Sequence, residues 1–207
     1  MTAETFDLEK ILRLFERSLH SDDDVLMDEY LEGYKEISKF FHLMGSVFSF
    51  VSSDVKSKIE ILEEFRSKDN AEKFVSFRGM IEYEKHENLL TKPNYVSGSR
   101  TLLRLHRGLD FIREFLGQLP NLSPNEKATA VCQAAYNGTL AKHHPWIVRK
   151  SAVVAMYAMP TREDLLKKVC IDADKAIAVL PDWLNVTKMV YDRTENLYTV
   201  YDLHSLP

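Results

Sequence analysis

Three arginines occur at helical spacing in the stretch RTLLRLHRGL, residues 100–109. Arg100, Arg104 and Arg107 are separated by four and then three residues, which places their side chains on one stripe of a helix. Like charges at this spacing repel each other by a few tenths of a kcal/mol per pair. The stripe is therefore either an ordinary solvated helix face or a place where an anion binds.

A second stripe changes from apolar to charged along the stretch LMGSVFSFVSSDVKSK. Leu43, Val47 and Phe50 come first at helical spacing, and Asp54 and Lys58 follow on the same side. On its own, the Asp54–Lys58 pair could be a surface ion pair worth only about 0.3–0.5 kcal/mol. The apolar residues before it could equally be ordinary core.

The helix that carries the arginines changes character in the opposite direction. Its arginine stripe continues into Phe111 and Phe115, and its other face is apolar, so the end of the helix is expected to be buried on both sides. If the two helices pack antiparallel, their charged halves meet at one end and their apolar halves at the other. That arrangement would suit an amphiphile. The residues of the apolar face are Leu102, Leu105, Leu109, Ile112 and Leu116.

The stretch HHPWIVRK, residues 143–150, adds a third element. His144 precedes a predicted helix, where an imidazole can hydrogen-bond a polar head group or simply act as a cap or a core hydrogen-bonding group. Trp146, with Arg149 and Lys150 nearby, is either part of the core or an anchor at a membrane surface, since an indole beside cations suits the head-group layer. These alternatives stay open at the level of sequence.

Composition limits the classes of protein to consider. The 207 residues are 45% hydrophobic and contain seven glycines and seven prolines, which favours one all-α domain spanning residues 1–207. The net charge of −4 argues against a nucleic-acid partner. Two cysteines are too few for a disulfide framework or a zinc site, and metalloprotease, phosphate-loop and nucleophile-elbow motifs are absent, so no cofactor or metal is expected. The start of the chain has no leader pattern, which predicts a soluble cytosolic protein.

Hydrophobic periodicity and breaker residues predict a succession of helices, the second of which should break once. Thr161, with Asp164 three residues later, resembles a capping arrangement, and Pro145 is suited to a first helical position. A break is also predicted at LPDW, residues 180–183. The predicted helices cover 6–19, 25–65, 70–90, 97–118, 124–141, 145–158, 161–170, 173–180 and 182–201.

Four stretches, in this order and spacing, resemble the glycolipid transfer protein superfamily: FSFVSSDVKSK, SRTLLRLHRGLDFI, HHPWIVRK and AMPTRE. The resemblance extends over essentially the whole chain and implies a two-layer sandwich of helices that encloses the lipid chains. It also implies that Asp54 and His144 bind the amide and hydroxyl of a sphingoid base, and that Lys58, Arg100 and Arg104 bind a phosphate. Arg107 lies on the same stripe and could assist.

Two positions indicate which branch of the superfamily is nearer. In the glycolipid-carrying branch, Arg104 is replaced by a Trp that stacks on a sugar, and Lys58 by an Asn. A guanidinium binds phosphate through charge-assisted, often bidentate hydrogen bonds, so ceramide-1-phosphate and related lipids are the expected cargo. The resemblance thus implies a monomeric, non-enzymatic carrier that touches membranes transiently. A glycolipid-type carrier, a lipid sensor or adaptor that does not shuttle, and a small phosphatase using Asp54 and His144 remain as alternatives.

Overall fold

The computed structural model describes residues 5–19, 23–45 and 48–207. Within these ranges the regular elements are helices, and pairing between extended segments is limited to two isolated β-bridges, Leu26 to Ser76 and Lys127 to Thr161. The all-α prediction is therefore confirmed. The α-helices of the described ranges are α1 Leu8–Ser18, α2 Met27–Leu43, α3 Ser49–Arg66, α4 Phe77–His86, α5 Gly98–Gln118, α6 Thr129–Gly138, α7 Trp146–Met156, α8 Arg162–Val169 and α9 Ala173–Val200.

Several helix boundaries differ from those predicted by periodicity. The predicted helix 25–65 does break once, between α2 and α3, and the expected helix 70–90 is a short 3-10 turn at Ala71–Phe74 followed by α4. The Ser76 hydroxyl accepts a hydrogen bond from the Gly79 N–H at 3.2 Å and so caps α4. Similarly, α6 starts at Thr129, five residues after the predicted boundary. The Ser76 cap, which periodicity does not detect, decides where α4 begins, whereas α6 begins after Ala128 without a side-chain cap.

The predicted break at residues 180–183 is wrong. Helix α9 runs without interruption from Ala173 to Val200 and contains Pro181. A proline inside a helix loses one backbone hydrogen bond and costs about 3 kcal/mol. Pro181 lies on the exposed side, whereas Leu180 and Trp183 are buried, so packing of this helix against α1 and α5 outweighs the local cost.

The start of α7 and α8 follows the sequence signals closely. The Thr161 hydroxyl accepts a hydrogen bond from the Asp164 N–H at 3.2 Å, which confirms the predicted cap of α8. Pro145 is the cap residue of α7, one position before the first helical residue, Trp146.

One continuous apolar core joins the helices. It extends from Phe6 to Leu206 within the described ranges and includes the predicted apolar face of α5. Phe111 and Phe115 are also buried, which confirms that the second half of α5 is covered on both sides. The close approach of α1 and α2 requires Gly33, because a Cβ at this position would come within 2.5 Å of the Phe15 ring.

A buried carboxylate holds the first turn of α5, which leads into the arginine stripe. The Glu84 carboxylate, on α4, is fully buried and accepts hydrogen bonds from the backbone N–H groups of Gly98 at 2.6 Å and Ser99 at 2.9 Å. It also accepts from the hydroxyls of Ser97 at 2.7 Å and Tyr95 at 2.9 Å. These bonds satisfy backbone donors at a positively polarised helix end and thereby fix α5 against α4.

Candidate functional site

A cavity of about 680 Å³ lies among helices α2, α3, α5, α6 and α7. Most of its wall is apolar, and the predicted pocket residues Phe50, Phe111 and Phe115 contribute to it. Such a wall suits hydrocarbon chains rather than a polar substrate. The other apolar lining residues include Phe40, Phe41, Met44, Phe48, Val51, Val55, Leu105, Ile112, Cys132, Leu140, Val148, Ala152, Ala155 and Met156.

The same wall carries a polar cluster formed by Asp54, Lys58, Arg104, Arg107 and His144. Asp54 and Lys58 are on α3, the two arginines are on α5, and His144 lies just before α7. Three elements far apart in sequence thus bring four of the five predicted head-group residues, Asp54, Lys58, Arg104 and His144, to one cavity. Among the charged side chains that the structure describes there, cations outnumber the single carboxylate, so the cluster is attractive to an anion.

Lys58 and Asp54 form the ion pair that their spacing on α3 allows. The Lys58 ammonium donates to Asp54 Oδ1 at 2.5 Å. The Lys58 side chain is only 13% exposed, whereas that of Asp54 is 67% exposed. The ammonium is therefore held beside the cavity wall, and the carboxylate keeps free accepting positions toward solvent.

His144 is oriented by a tyrosine of α6. The Tyr136 hydroxyl and His144 Nδ1 are 2.9 Å apart and share a hydrogen bond. Burial lowers the pKa of His144, and the nearby Arg107 and Lys58 lower it further, against the opposing effect of Asp54. The imidazole is consequently neutral near pH 7 and can offer its other nitrogen to a polar group in the cavity.

Arg104 and Arg107 both contact residues that follow α9. An Arg107 guanidinium nitrogen donates to the His204 carbonyl at 2.8 Å, and one of Arg104 donates to the Pro207 carbonyl at 3.3 Å. Burial lowers the pKa of Arg107, and Arg104 adds to this effect by repulsion. A guanidinium stays charged despite such a shift, so both residues remain cations.

The structure separates residues that the sequence had grouped together. Arg100 shares the stripe with Arg104, yet its half-buried side chain does not line the cavity, and its Nε is buried without a hydrogen-bond partner in the described part of the chain. Leu43 also lies outside the cavity lining and packs partly buried against the core. Val47 lies outside the described residues. Arg107, in contrast, lines the cavity directly.

Three polar residues of the cavity wall were not singled out from sequence: Tyr34, Tyr136 and His143. Burial, with Arg107 and Lys142 nearby, lowers the pKa of His143 well below its usual range. Tyr34 donates to the Leu105 carbonyl. His143 was within reach of sequence reasoning because it is adjacent to His144, whereas no spacing signal connects the tyrosines with the other residues.

The predicted membrane-contact residues lie on the outer side of α7. Trp146 is 65% exposed, and the Lys150 ammonium is 5.9 Å from the centroid of its ring. Arg149 and Lys150 are also exposed. The indole is therefore not part of the core, which removes one of the two alternatives left open by the sequence. Exposed apolar neighbours on or beside α7 include Ile147, Val148, Val154 and Tyr157.

Neither a metal-binding cluster nor a membrane-spanning helix is found within the described ranges. No group of three or more His, Cys, Asp or Glu side chains that could hold a metal ion occurs there. Within the same part of the chain, no helix is both long and apolar enough to cross a membrane.

Comparison with known proteins identifies the family of this chain. The sequence profile of the glycolipid transfer protein family matches residues 25–171, and the chain belongs to this family. Among its relatives, the ceramide-1-phosphate transfer protein of Danio rerio is 40% identical over 210 residues, covering 99% of this chain and 100% of that protein.

Solved structures support the same relationship. The apo form of mouse ceramide-1-phosphate transfer protein superposes with a TM-score of 0.90 at 36% identity, covering 98% of this chain and 100% of the mouse chain. The human protein in complex with 2:0 ceramide-1-phosphate superposes with a TM-score of 0.88 at 33% identity, covering 99% and 100% of the two chains. The predicted two-layer helical sandwich of the glycolipid transfer protein fold is thus confirmed.

Proposed function

We propose that this protein transfers ceramide-1-phosphate between membranes, with the lipid chains in the apolar cavity and the phosphate on the cationic side chains of the polar cluster. The observation that carries this proposal is the combination, in one cavity, of an apolar wall with Lys58, Arg104 and Arg107. Relatives that are 33–40% identical over nearly the whole chain are named ceramide-1-phosphate transfer proteins, which supports the proposal.

The charge of the cluster favours a phosphate over a sugar. A phosphate monoester carries about −1.5 to −2 charges near pH 7. Partly buried cations without an anion retain their desolvation cost and their mutual repulsion, which a neutral sugar cannot offset. Lys58 and Arg104 are the main phosphate ligands in this proposal, and Arg107 assists. Arg100 stays a predicted ligand that would have to turn its side chain toward the cavity.

Asp54 and His144 would recognise the part of the lipid that is common to sphingolipids. The exposed Asp54 carboxylate can accept hydrogen bonds from the amide N–H and hydroxyl of a sphingoid base. The neutral imidazole of His144, oriented by Tyr136, can donate to the amide carbonyl. This division assigns head-group selectivity to the cations and lipid-class selectivity to the Asp54–His144 pair.

A carrier of this kind lowers a large energetic barrier without a covalent step. Exposing a methylene group to water costs about 0.8 kcal/mol, so a 16-carbon chain leaving a bilayer alone faces about 13 kcal/mol. A protein cavity that receives the chain removes most of this cost. The protein is accordingly proposed not to be an enzyme, and no cofactor takes part.

The remaining features of the proposal concern how the carrier meets its membranes. Trp146, Arg149 and Lys150 on the outer side of α7 would contact the head-group layer transiently, since exposed aromatic and cationic side chains favour that interface. The whole chain, residues 1–207, would act as one lipid-transfer domain around its continuous core. It would work as a cytosolic monomer with no nucleic-acid partner.

A vesicle assay with two cargoes tests the function. Donor vesicles contain ceramide-1-phosphate or glucosylceramide, and mass spectrometry follows each lipid in donor and acceptor vesicles. We expect transfer of ceramide-1-phosphate, poor transfer of glucosylceramide and no chemical change in either lipid. Equal transfer of both would indicate a glycolipid-type carrier, binding without transfer a sensor or adaptor, and release of inorganic phosphate a phosphatase.

A further inference from the structure

The segment that follows α9 folds back onto the arginine stripe. We call residues 202–207 the post-α9 turn. Its Leu203 and Leu206 side chains are buried, and the Leu203 N–H donates to the Tyr198 carbonyl at 2.8 Å. Asp202 has a φ of 55°, a left-handed conformation that reverses the chain at the end of the helix. The turn is therefore a packed part of the molecule.

The post-α9 turn offers backbone carbonyls to two cations of the polar cluster. The His204 carbonyl accepts from Arg107 at 2.8 Å and the Pro207 carbonyl from Arg104 at 3.3 Å, and Pro207 itself lines the cavity. A guanidinium has five N–H donors, so a bond to one carbonyl leaves others for a phosphate. The His204 carbonyl brings no net charge, so it orients Arg107 without neutralising it.

Side chains of α9 and α5 hold the post-α9 turn in place. His204 Nε2 is 2.9 Å from the Thr199 hydroxyl and 3.8 Å from the Glu195 carboxylate. Glu195 in turn is hydrogen-bonded to Nε2 of the buried His106 at 2.6 Å. The His106 ring stacks on Tyr191 with a centroid distance of 4.3 Å. These contacts link the buried His106 of α5, through Glu195 of α9, to His204. The His204 carbonyl in turn accepts the hydrogen bond from Arg107.

We propose that the post-α9 turn positions Arg104 and Arg107 for a phosphate-bearing lipid, and that Thr199 is a positioning residue because it holds His204. The two guanidiniums are three residues apart on α5 and repel each other, so each needs a fixed partner to stay directed at the same anion. The carbonyls of the turn are those partners. This inference rests on the proposed function and deepens it, since it concerns the same site.

A matched pair of substitutions at Thr199 tests the inference. Thr199 is exposed, and Thr199→Val keeps its shape but removes the hydroxyl that binds His204, whereas Thr199→Ser keeps the hydroxyl. The probes are short-chain ceramide-1-phosphate and the corresponding short-chain ceramide, with affinities measured by isothermal titration calorimetry. Val200→Ala, a change to an adjacent residue that is 64% exposed, serves as the control.

We expect Thr199→Val to weaken binding of ceramide-1-phosphate by about three- to tenfold, the effect of losing about one hydrogen bond. Ceramide affinity should stay unchanged, the melting temperature should fall by only a few degrees, and Thr199→Ser and Val200→Ala should behave like the wild type.

Three results would overturn the inference while leaving the proposed function intact. The first is unchanged phosphate selectivity in Thr199→Val. The second is an equal loss for both lipids, which indicates a merely structural role. The third is tighter binding of ceramide-1-phosphate, which means that the turn competes with the phosphate. A wild-type protein that binds ceramide-1-phosphate no better than ceramide would refute the proposed function, and this inference with it.

Discussion

Arg104 and Arg100 show how much the role of a charged side chain depends on where its terminal atoms lie. Both are on one stripe of α5, one turn apart, but only Arg104 lines the cavity. Arg107, one turn further along, lines it as well and is held by the His204 carbonyl. Arg104 and Arg107 of α5 are thus the arginines that line the cavity, together with Lys58 of α3, and Arg100 stays a predicted phosphate ligand.

Replacing the cations that line the cavity should remove activity without affecting the fold. We expect Arg104→Leu or Lys58→Ala to lower ceramide-1-phosphate transfer by at least about tenfold, because a hydrogen bond to a charged group contributes about 1.5–3 kcal/mol. Arg100→Leu, one turn away on the same stripe, should cost less. Vesicle transfer, circular dichroism and thermal melts measure the effects. Loss of helical content together with activity would instead assign Arg104 and Lys58 a structural role.

The hydrogen-bonded pair of the buried His106 and the partly exposed Glu195 should make stability depend on pH. Burial lowers the pKa of His106 below its ordinary value of 6.5, and the hydrogen bond from His106 lowers the pKa of Glu195 below 4.5. The unfolded chain therefore binds more protons than the folded protein in acid, so the free energy of unfolding should fall as pH decreases through about 6.5, and again below about 4.5.

Chemical denaturation between pH 7.5 and pH 5 measures this dependence. The variant His106→Gln cannot titrate in this range, so its free energy of unfolding should decrease less than that of the wild type over the same interval. Identical pH profiles for the two proteins would show that His106 does not contribute.

At the scale of elements, α7 presents different residues to the cavity and to solvent. Ala152, Ala155 and Met156 line the cavity, whereas Trp146 and Val154 are 65% and 69% exposed. A helix that is apolar on both sides is normally buried in a soluble domain, so the exposed apolar side of α7 supports the membrane contact proposed for it. In the proposed function, α7 would therefore contribute both to the lipid cavity and to membrane contact.

Truncating the indole at the start of α7 should therefore weaken membrane contact. We expect Trp146→Ala to reduce adsorption to vesicles and to slow transfer, with little change in melting temperature because the side chain is mostly exposed. Vesicle sedimentation measures adsorption. Ile171→Ala, which removes an exposed apolar side chain in the segment between α8 and α9, is the control. Unchanged adsorption combined with a lower melting temperature would identify Trp146 as a packing residue.

At the scale of the whole molecule, the cavity separates helices that would otherwise pack against one another. Empty apolar volume forgoes dispersion contacts, and clustered cations repel, so the protein without lipid is less stable than it could be. Cargo that fills the cavity and neutralises the cluster should stabilise the entire fold.

Ligand binding should accordingly raise the melting temperature in proportion to the logarithm of ligand concentration. At a concentration 100 times the Kd, a ligand that binds only the folded state contributes about 2.7 kcal/mol. For a chain of this size, this corresponds to an increase of about 5–11 °C. Calorimetry with short-chain ceramide-1-phosphate measures the shift, and short-chain ceramide is the comparison. An equal shift with both lipids would contradict a phosphate-selective site.

The sequence by itself determined most of the helices, the apolar faces of α5 and the residue types of the polar cluster. These features depend on local periodicity and on motifs that carry the family resemblance, so they can be read without coordinates. It also determined that Asp54 and Lys58 would face the same way, since four residues make one helical turn.

The tertiary structure decided which of these residues meet. Periodicity states the side of a helix on which a residue lies, but not whether its terminal atoms reach a cavity, which is why Arg107 lines the cavity whereas Arg100, on the same stripe, does not. Pro181 stays helical because burial of Leu180 and Trp183 outweighs a local cost. The carbonyls that hold Arg104 and Arg107 come from residues about a hundred positions later in the chain. Contacts over that separation arise from packing of the whole fold, which no local pattern encodes.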